Sequence, residues 1–552
     1  MTFGPIPIVL AISGHRDLLA TDIPAIRQTL HTELAALRKR YPHSRLQLLN
    51  GLAEGADWLA AEVALECGLE LIAVLPMRQA DYELDFATPE TLAHFHLLLS
   101  KASQVRIAPL NDALADSASR DSSYQALGIY LAQHAQRLYA LWDGNAEKPL
   151  PGGTADVVRL CREGIPSEDN PLAQPETCQV QHLRCNRKKN PQAYTAQEVN
   201  QWSPEAGDKV GATYKYWEEI FHSINDFNQA ASKIDNDPAG EVAKSRQWLV
   251  GEANYPPNIE SSVQTFAIAD ALARARQEQR QTILWLLSLL VFLSVLFQQL
   301  HLGPDMQWYW LASHIGLGFT AFFAYRFFFS GAHNSEAQYM DWRALAEGLR
   351  VQTFWQAAGI DECASNYYLN NQRDELDWIR HAIRNITVNT AASTNEANID
   401  WVKQRWLTDQ RKFFLSGGSS VAKKQQKLRS LKLISRSLFG AGAMTTAALL
   451  LGPFINLTAA ALPWLSLVAA ILFVLAAVCR NHANLMAYEE DANRYQKMGS
   501  LFERAIQVLE QHQLNTDTAS SRNILLAIGK EALAENGEWL LLHRQRKFEI
   551  PA

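Results

Sequence analysis

The sequence predicts an α/β amino-terminal domain built on a parallel sheet, followed by an α-helical membrane region with four transmembrane helices in two hairpins. Three observations carry this reading. Short apolar runs alternate with amphipathic stretches between residues 6 and 184. Four later blocks are almost free of charge and long enough to cross a bilayer. Those blocks fall in two tight pairs, 282–302 with 308–329 and 438–457 with 462–479.

Within the first domain, the apolar runs predict strands at 8–12, 46–49, 69–75, 105–107, 138–142 and 180–183. Amphipathic spacing predicts helices at 23–41, 55–67, 89–102, 122–136 and 153–163. Strand and helix in alternation imply a Rossmann-like parallel sheet covered on both faces, here assigned to residues 1–190. Ligands of such sheets bind at the carboxyl ends of the strands.

The residues expected at those ends suit a nucleotide. The first strand runs into Gly14-His15-Arg16, where glycine admits a close backbone and the two side chains can hold a phosphate. The second opens through Gly51, Glu54 and Gly55 into an Ala-rich helix, whose amides and dipole favour an anion. Asp57 would repel phosphate, so it caps the helix or meets a ribose hydroxyl. Pro76 follows the third strand, and Tyr82 beyond it can flank a base. Trp142-Asp143-Gly144 ends the fifth strand. Gly152-Gly153-Thr154 then precedes a helix and, with Asp156, forms a second anion cradle.

These motifs together resemble the SLOG superfamily. The resemblance rests on GHRD, NGLAEGADWLAAEVAL, VLPM with YELDF, and ALWDG with PGGTADVV, and covers about the first third of the chain. The superfamily includes cytokinin-activating phosphoribohydrolases and sensor domains of bacterial conflict systems. It implies a Rossmann-like domain that binds a nucleotide or NAD-derived signal. Its enzymes use a PGGxGTxxE loop with a catalytic Glu. Here Pro151-Gly152-Gly153-Thr154-Ala155-Asp156 compresses that loop and lacks the Glu, which argues for a sensor and against a hydrolase.

Composition narrows the partners. The 552-residue chain has a formal charge of −6 and 48% hydrophobic residues, but the charge is segregated. No part is basic enough to make nucleic acid the partner. Cys67, Cys161, Cys178, Cys185, Cys363 and Cys479 contain no CxxC pair, which argues against a disulfide framework and for a reducing compartment. Cys178, His182 and Cys185 lack an obvious fourth ligand for zinc, so no metal and no resident cofactor is expected. The amino terminus has no basic n-region, and residues 6–12 read as a strand rather than a signal peptide.

Orientation follows from Lys and Arg. Arg274, Arg276 and Arg280 precede the first span, Arg326 and Arg343 close or follow the second, and Lys423 to Arg436 precede the third. Arg480 follows the fourth, and the two short turns have neither residue. The positive-inside rule then places both turns outside and both termini in the cytoplasm. The basic run before the third span is a topology signal, a solvated face or a grip on anionic lipid. Gly316, Gly318, Gly440, Gly442 and Ala443 suit close helix contacts. Thr445, Thr446 and His314 serve helix–helix hydrogen bonds or line a pore.

The remaining segments are a polar excursion and helical linker (191–270), a cytoplasmic helical segment (333–437) between hairpins at 271–332 and 438–480, and carboxyl-terminal helices (481–552). Residues 214–234 carry one apolar stripe of Tyr216, Trp217, Ile220, Phe221, Ile224 and Phe227, expected to pack in a core. Helices are expected at 337–358, 376–386, 399–414, 483–510 and 521–541. Arg343, Glu347 and Arg350 at helical spacing form either an exposed salt-bridged face, the favoured reading, or a buried network. The whole predicts a homo-oligomeric effector of the bacterial inner membrane, switched by a small nucleotide-like ligand, with a role in antiphage defence by analogy. The alternative is a membrane-anchored nucleotide or NAD hydrolase.

Overall fold

The computed structural model describes residues 3–110, 119–145, 150–165, 175–195, 198–199, 202–203, 210–234, 240–251, 255–301, 307–329, 335–369, 373–388, 398–416, 420–451, 458, 461–485, 488–513 and 518–545. They divide into two compact units.

The first unit comprises Met1–Pro238, Glu260–Thr265 and Leu369–Ala392, and so extends well past residue 190. Its sheet contains β1 Ile8–Gly14, β2 Leu46–Asn50, β3 Glu70–Leu75, β4 Gln104–Ile107, β5 Arg137–Trp142, β6 Gln179–Arg184 and β7 Trp202–Ser203. The order is β4-β3-β2-β1-β5-β6-β7. The first six strands pair in parallel, and only the two-residue β7 is antiparallel. The helices α1 Ile23–Arg40, α2 Ala56–Glu66, α3 Pro89–Lys101, α4 Arg120–His134 and α5 Thr154–Glu163 fall where the apolar spacing places them. Every residue of β5 and the first five of β1 are buried, as expected for central strands covered on both faces.

Among the described residues, two further long helices lie wholly in this unit, α6 Val210–Ile234 and, far along the chain, α11 Arg373–Val388. The stripe on α6 is core: Trp217, Ile220, Phe221, Ile224 and Phe227 are at most 4% exposed. Buried amides fix both helices to the amino ends of the strands. Asn228 accepts from the Ile6 amide at 3.1 Å and donates to the Ile6 carbonyl at 2.7 Å. Asn225 accepts from the His43 amide, and Asn385 donates to the Pro7 carbonyl at 2.8 Å. The amino ends of these strands are thereby covered. Cys161 at the end of α5 and Cys178 just before β6 are disulfide-bonded, Cα–Cα 4.9 Å. This corrects the expectation of unpaired cysteines: packing of α5 on β6 joins residues that no sequence motif links. It also removes Cys178 from the cluster considered for zinc, and no metal-binding group occurs among the described residues.

The second unit comprises Ala239–Ile259, Phe266–Tyr368 and Ser393–Ala552 and is helical. It holds α7 Glu241–Val250, most of α8 Glu260–His301, α9 Trp308–Phe329 and α10 Ser335–Ala357. Then come α12 Ile399–Val402, a π-helical turn Lys403–Thr408, α13 Asp409–Leu415, α14 Ser420–Leu451, α15 Leu462–Leu485, α16 Tyr488–Gln513 and α17 Thr518–Gln545. Three stretches are long and apolar enough to cross a membrane, Pro257–His301, Val421–Leu451 and Leu462–Gln511, with mean hydropathies of 2.2, 1.3 and 2.5. Only 17%, 6% and 11% of their most apolar windows is buried, so these faces require a non-aqueous surrounding. The sequence predicts four spans. The other candidate, α9, owes its apolar character to aromatic rings and includes His314 and Arg326; Trp308, Phe319, Phe322, Phe323 and Phe327 on it are exposed.

Contacts between these helices sort the expected polar and small residues. His314 Nδ1 lies 2.9 Å from Ser294 Oγ, a bond between α9 and α8. Thr445 and Thr446 instead donate to carbonyls of their own helix at Ala441 and Gly442. A side chain at Gly442 would meet the Phe473 ring at 3.1 Å, whereas one at Gly316 or Gly440 would have nothing within 4 Å among the described residues. Lys424 and Lys432 of the basic run are paired with Asp491 and Glu489.

Arg343, Glu347 and Arg350 form a network rather than an exposed face, a correction to the favoured reading. Glu347 is 6% exposed and holds Arg343 at 2.5 Å and Arg350 on its other oxygen. Arg343 continues to Asp270 at 2.8 Å, and Asp270 meets Arg274 and the Ser245 hydroxyl. The spacing was compatible with either outcome; packing of α8 and α7 against this side of α10 decides it.

Candidate functional site

Strand order reverses at β1, whose neighbours are β2 and β5, and the crevice beyond such a reversal is where doubly wound sheets bind ligands. Gly14, the last residue of β1, pairs with Leu141 of β5. A side chain at Gly14 would collide with Ala56 Cβ and approach Leu141 Cβ to 2.9 Å, so only glycine lets α2 start this close to the strand. Gly55 has φ +84°, and a Cβ there would strike the Arg16 carbonyl. The Ala56 amide donates to the His15 carbonyl at 3.0 Å. Helix geometry leaves the Asp57 and Trp58 amides without partners inside α2.

The turn after β2 is held firmly. Leu52 has φ +54°, uncommon for a non-glycine residue, and is fully buried. Its amide donates to Asn50 Oδ1 at 2.7 Å, and its carbonyl accepts from Trp58 Nε1 at 2.9 Å. Asn50 also donates to the Asp57 carbonyl. Strain kept in place by several bonds is characteristic of binding turns.

Asp57 closes this turn by accepting from the Ala53 amide at 3.3 Å. Burial pushes its carboxyl up to about 7, against the opposing pull of the Ala53 amide and of Arg16. Near neutral pH it is therefore partly protonated, and its repulsion of an anion is reduced. The second glycine turn is closed in the same way, since Asp156 accepts from the Gly152 amide at 3.0 Å and pairs with Arg159 at 2.6 Å. The Gly153 amide donates to Leu150. That cradle is filled from within, and an anion would have to displace Asp156 from the Gly152 amide.

The charges at the β1–β5 crevice divide between two arginines. His15 Nε2 lies 3.0 Å from Asp143 Oδ1 and 3.1 Å from the Asp143 amide, which fixes the ring. Burial, with Arg187 next in effect, lowers its pKa, so the imidazole is neutral at pH 7 and contributes no positive charge. Arg187 is engaged with Asp17 at 2.8 Å and approaches Asp143 at 3.8 Å. Arg16 is exposed, bonded at 2.8 Å to the Tyr124 hydroxyl, which in turn meets Asp85. Arg120 pairs with the same Asp85.

The structure thus gathers Gly14, His15, Arg16, Gly51, Gly55, Asp57 and Asp143 at the carboxyl ends of β1, β2 and β5. Gly152 packs on the backbone of Tyr124, which brings the Gly153, Thr154 and Asp156 turn to the same α4. Glu54 is half-buried in the turn before α2, and Gly144 faces the Tyr194 hydroxyl. Three candidates are buried beneath these turns. Tyr82 is 1% exposed, donates to the Gly51 carbonyl at 3.0 Å and packs on Phe86 and Phe95, so it supports the turn and does not flank a ligand. Trp142 is 5% exposed beside His182, and Pro76 is buried. Tyr124 and Arg187 join the site from positions that no local motif marks, and Asp85 joins it from the YELDF run.

Neither family models nor curated proteins match the chain.

Proposed function

We propose that the chain is a multi-pass effector of the bacterial inner membrane, whose first unit binds a nucleotide or NAD-derived signal and whose apolar helices respond. The observation that carries this reading is the β1–β5 crevice, where Arg16, the start of α2 and the strained Leu52 turn meet at the strand-order reversal. The SLOG-like motifs supply these same turns. In this reading α8, α9, α14 and α15 all span, with the Lys/Arg-free turns outside and both termini in the cytoplasm. The chain passes between its two units five times, once within the uninterrupted helix α8, which offers a covalent path for a signal. Complete switching needs about 5.5 kcal/mol of differential binding, and a micromolar ligand supplies about 8 in total. A homo-oligomer lowers the demand on each site. A role in antiphage defence rests on family analogy.

The raised Asp57 beside Arg16 favours a second reading, a nucleotide or NAD hydrolase with Asp57 as its acid. One experiment separates the two. The detergent-solubilised full chain is melted against nucleotides, cyclic dinucleotides, NAD and ADP-ribose, and each mixture is then chromatographed. The full chain is needed because residues 1–190 lack α6 and α11. An intact stabilising ligand, lost in Arg16→Ala, supports the effector; a cleaved product supports the hydrolase. No shift with a folded protein sinks ligand sensing at this crevice.

A further inference from the structure

The second unit contains a cavity of about 330 Å³, within the range of small-molecule sites. Three segments distant in sequence build it: Trp248 near the end of α7, Arg350 and Phe354 on α10, and Arg405, Gln410 and Phe413 on the π-turn and α13. Its walls pair aromatic faces with cations. Trp248 stacks on Phe266, Phe354 stacks on Trp406, and the Arg350 guanidinium lies 6.0 Å from the Trp248 ring centre.

The polar groups around it are incompletely used. Arg350 Nε, Arg405 Nε and Gln410 Oε1 are buried without hydrogen-bond partners among the described residues, and Gln410 is only 4% exposed. Core packing would leave few such atoms, and three around one cavity point to a ligand reached by small side-chain rotations. The backbone is unusual at the same place. Arg405 sits in the six-residue π-helix Lys403–Thr408, a rare form concentrated at functional sites. Gly251, with φ +74°, brings the chain so close that a Cβ would lie 3.1 Å from Arg405 Cζ. Arg405 donates to the Trp248 carbonyl at 3.0 Å and pairs with Asp409 at 2.9 Å. Asp409 is the acid that lines the cavity.

We propose that this cavity binds a small organic anion that carries a planar ring and a hydrogen-bond donor. The two arginines meet the anion, the aromatic walls hold the ring, and Gln410 Oε1 accepts from the donor. Asp409 on Arg405 and Glu347 on Arg350 compete with the anion and limit affinity.

The test is calorimetric titration of the detergent-solubilised full chain with 4-aminophenyl phosphate, phenyl phosphate and inorganic phosphate. Saturable binding of 4-aminophenyl phosphate is expected, with phenyl phosphate about 3-fold weaker and inorganic phosphate at least about 10-fold weaker. Arg405→Gln should weaken binding about 10-fold. Because Arg405 also anchors α7, Asp409→Asn provides the second arm and should tighten binding about 3-fold, a gain that a merely structural role does not produce. Arg16→Ala should change nothing. The proposal is overturned if no saturable binding occurs, if Asp409→Asn weakens it, or if Arg16→Ala abolishes it. Displacement by short-chain phosphatidylglycerol at concentrations about 10-fold below those of 4-aminophenyl phosphate would also overturn it, in favour of a lipid headgroup.

Discussion

The amino edge of the first unit and the helices α7, α8 and α10 of the second bury their polar groups by different means, although the first unit also buries ion pairs such as Arg137 with Glu33. At the amino edge of the sheet the first unit uses neutral amides: Asn225, Asn228 and Asn385 each meet a backbone group before a strand begins. The second unit ties α7, α8 and α10 with charges running from Ser245 through Asp270 and Arg343 to Glu347 and Arg350. A satisfied amide fixes one contact and is indifferent to pH. A chain of buried ions is marginal in net stability, because desolvation offsets attraction, yet it fails badly when one member is removed. The unit with the long apolar helices is thus held by a network that tolerates rearrangement as a whole but not loss of a part. At its amino edge the sheet adds neutral amide clasps to ion pairs such as that of Arg137 with Glu33.

The largest effect should come from breaking the ionic side of this contrast. Glu347→Gln leaves Arg343 and Arg350 without their shared carboxylate and should lower stability by about 3–5 kcal/mol, read as a fall in melting temperature of the solubilised protein. An unchanged melting point would mean that the network contributes nothing specific. Asp57 is next. Its folded pKa of about 7 exceeds its ordinary 3.8, so its contribution is most favourable below the lower value and is lost as pH rises through the higher one. Asp57→Asn should therefore stabilise the protein by roughly 2–4 kcal/mol at pH 8 and by little at pH 4. A melt series in pH that shows no difference would rule out the buried acid. For the same reason, anion binding at the β1–β5 crevice should weaken from pH 6 to pH 8 in the native protein, and stay flat in the Asn variant.

A single amide clasp should count for less. Asn228→Ala removes two bonds to Ile6 and should cost about 2 kcal/mol, with hydrogen exchange rising at β1 before the helical unit is affected. Smallest of all is Lys432→Ala. Its pairing with Glu489 is half exposed and should change stability by less than about 0.5 kcal/mol, a useful baseline for the network variants.

Local pattern made much of this architecture readable. Six strands and five helices of the sheet follow from apolar spacing alone, and the turns beginning at Gly14 and Gly51 announce the carboxyl edge. What remained hidden depends on distant partners. Tyr82 and Trp142 resemble ligand-facing aromatics until neighbouring elements bury them. The Arg343, Glu347 and Arg350 spacing is identical on an exposed and a covered face, and only α8 and α7 distinguish the two. The Cys161–Cys178 pair requires knowing that α5 lies on β6. The cavity at Arg405 draws on segments more than 150 residues apart in sequence, and its π-turn has no hydrophobic period by which to be recognised. Polar residues also concealed α7 inside the segment read as an excursion and linker.

The placement of α11 has a consequence for biosynthesis. The unit that begins at the amino terminus needs a helix ending at Val388 to complete its core, and α8 and α9 leave the ribosome before that helix does. Domains ordinarily fold in the order of their synthesis. Here the sheet must wait, lacking one of its amide clasps, while the first apolar helices emerge and seek their surroundings. A nascent chain stalled after residue 330 would carry the crevice residues in full but lack the α11 clasp that Asn385 supplies.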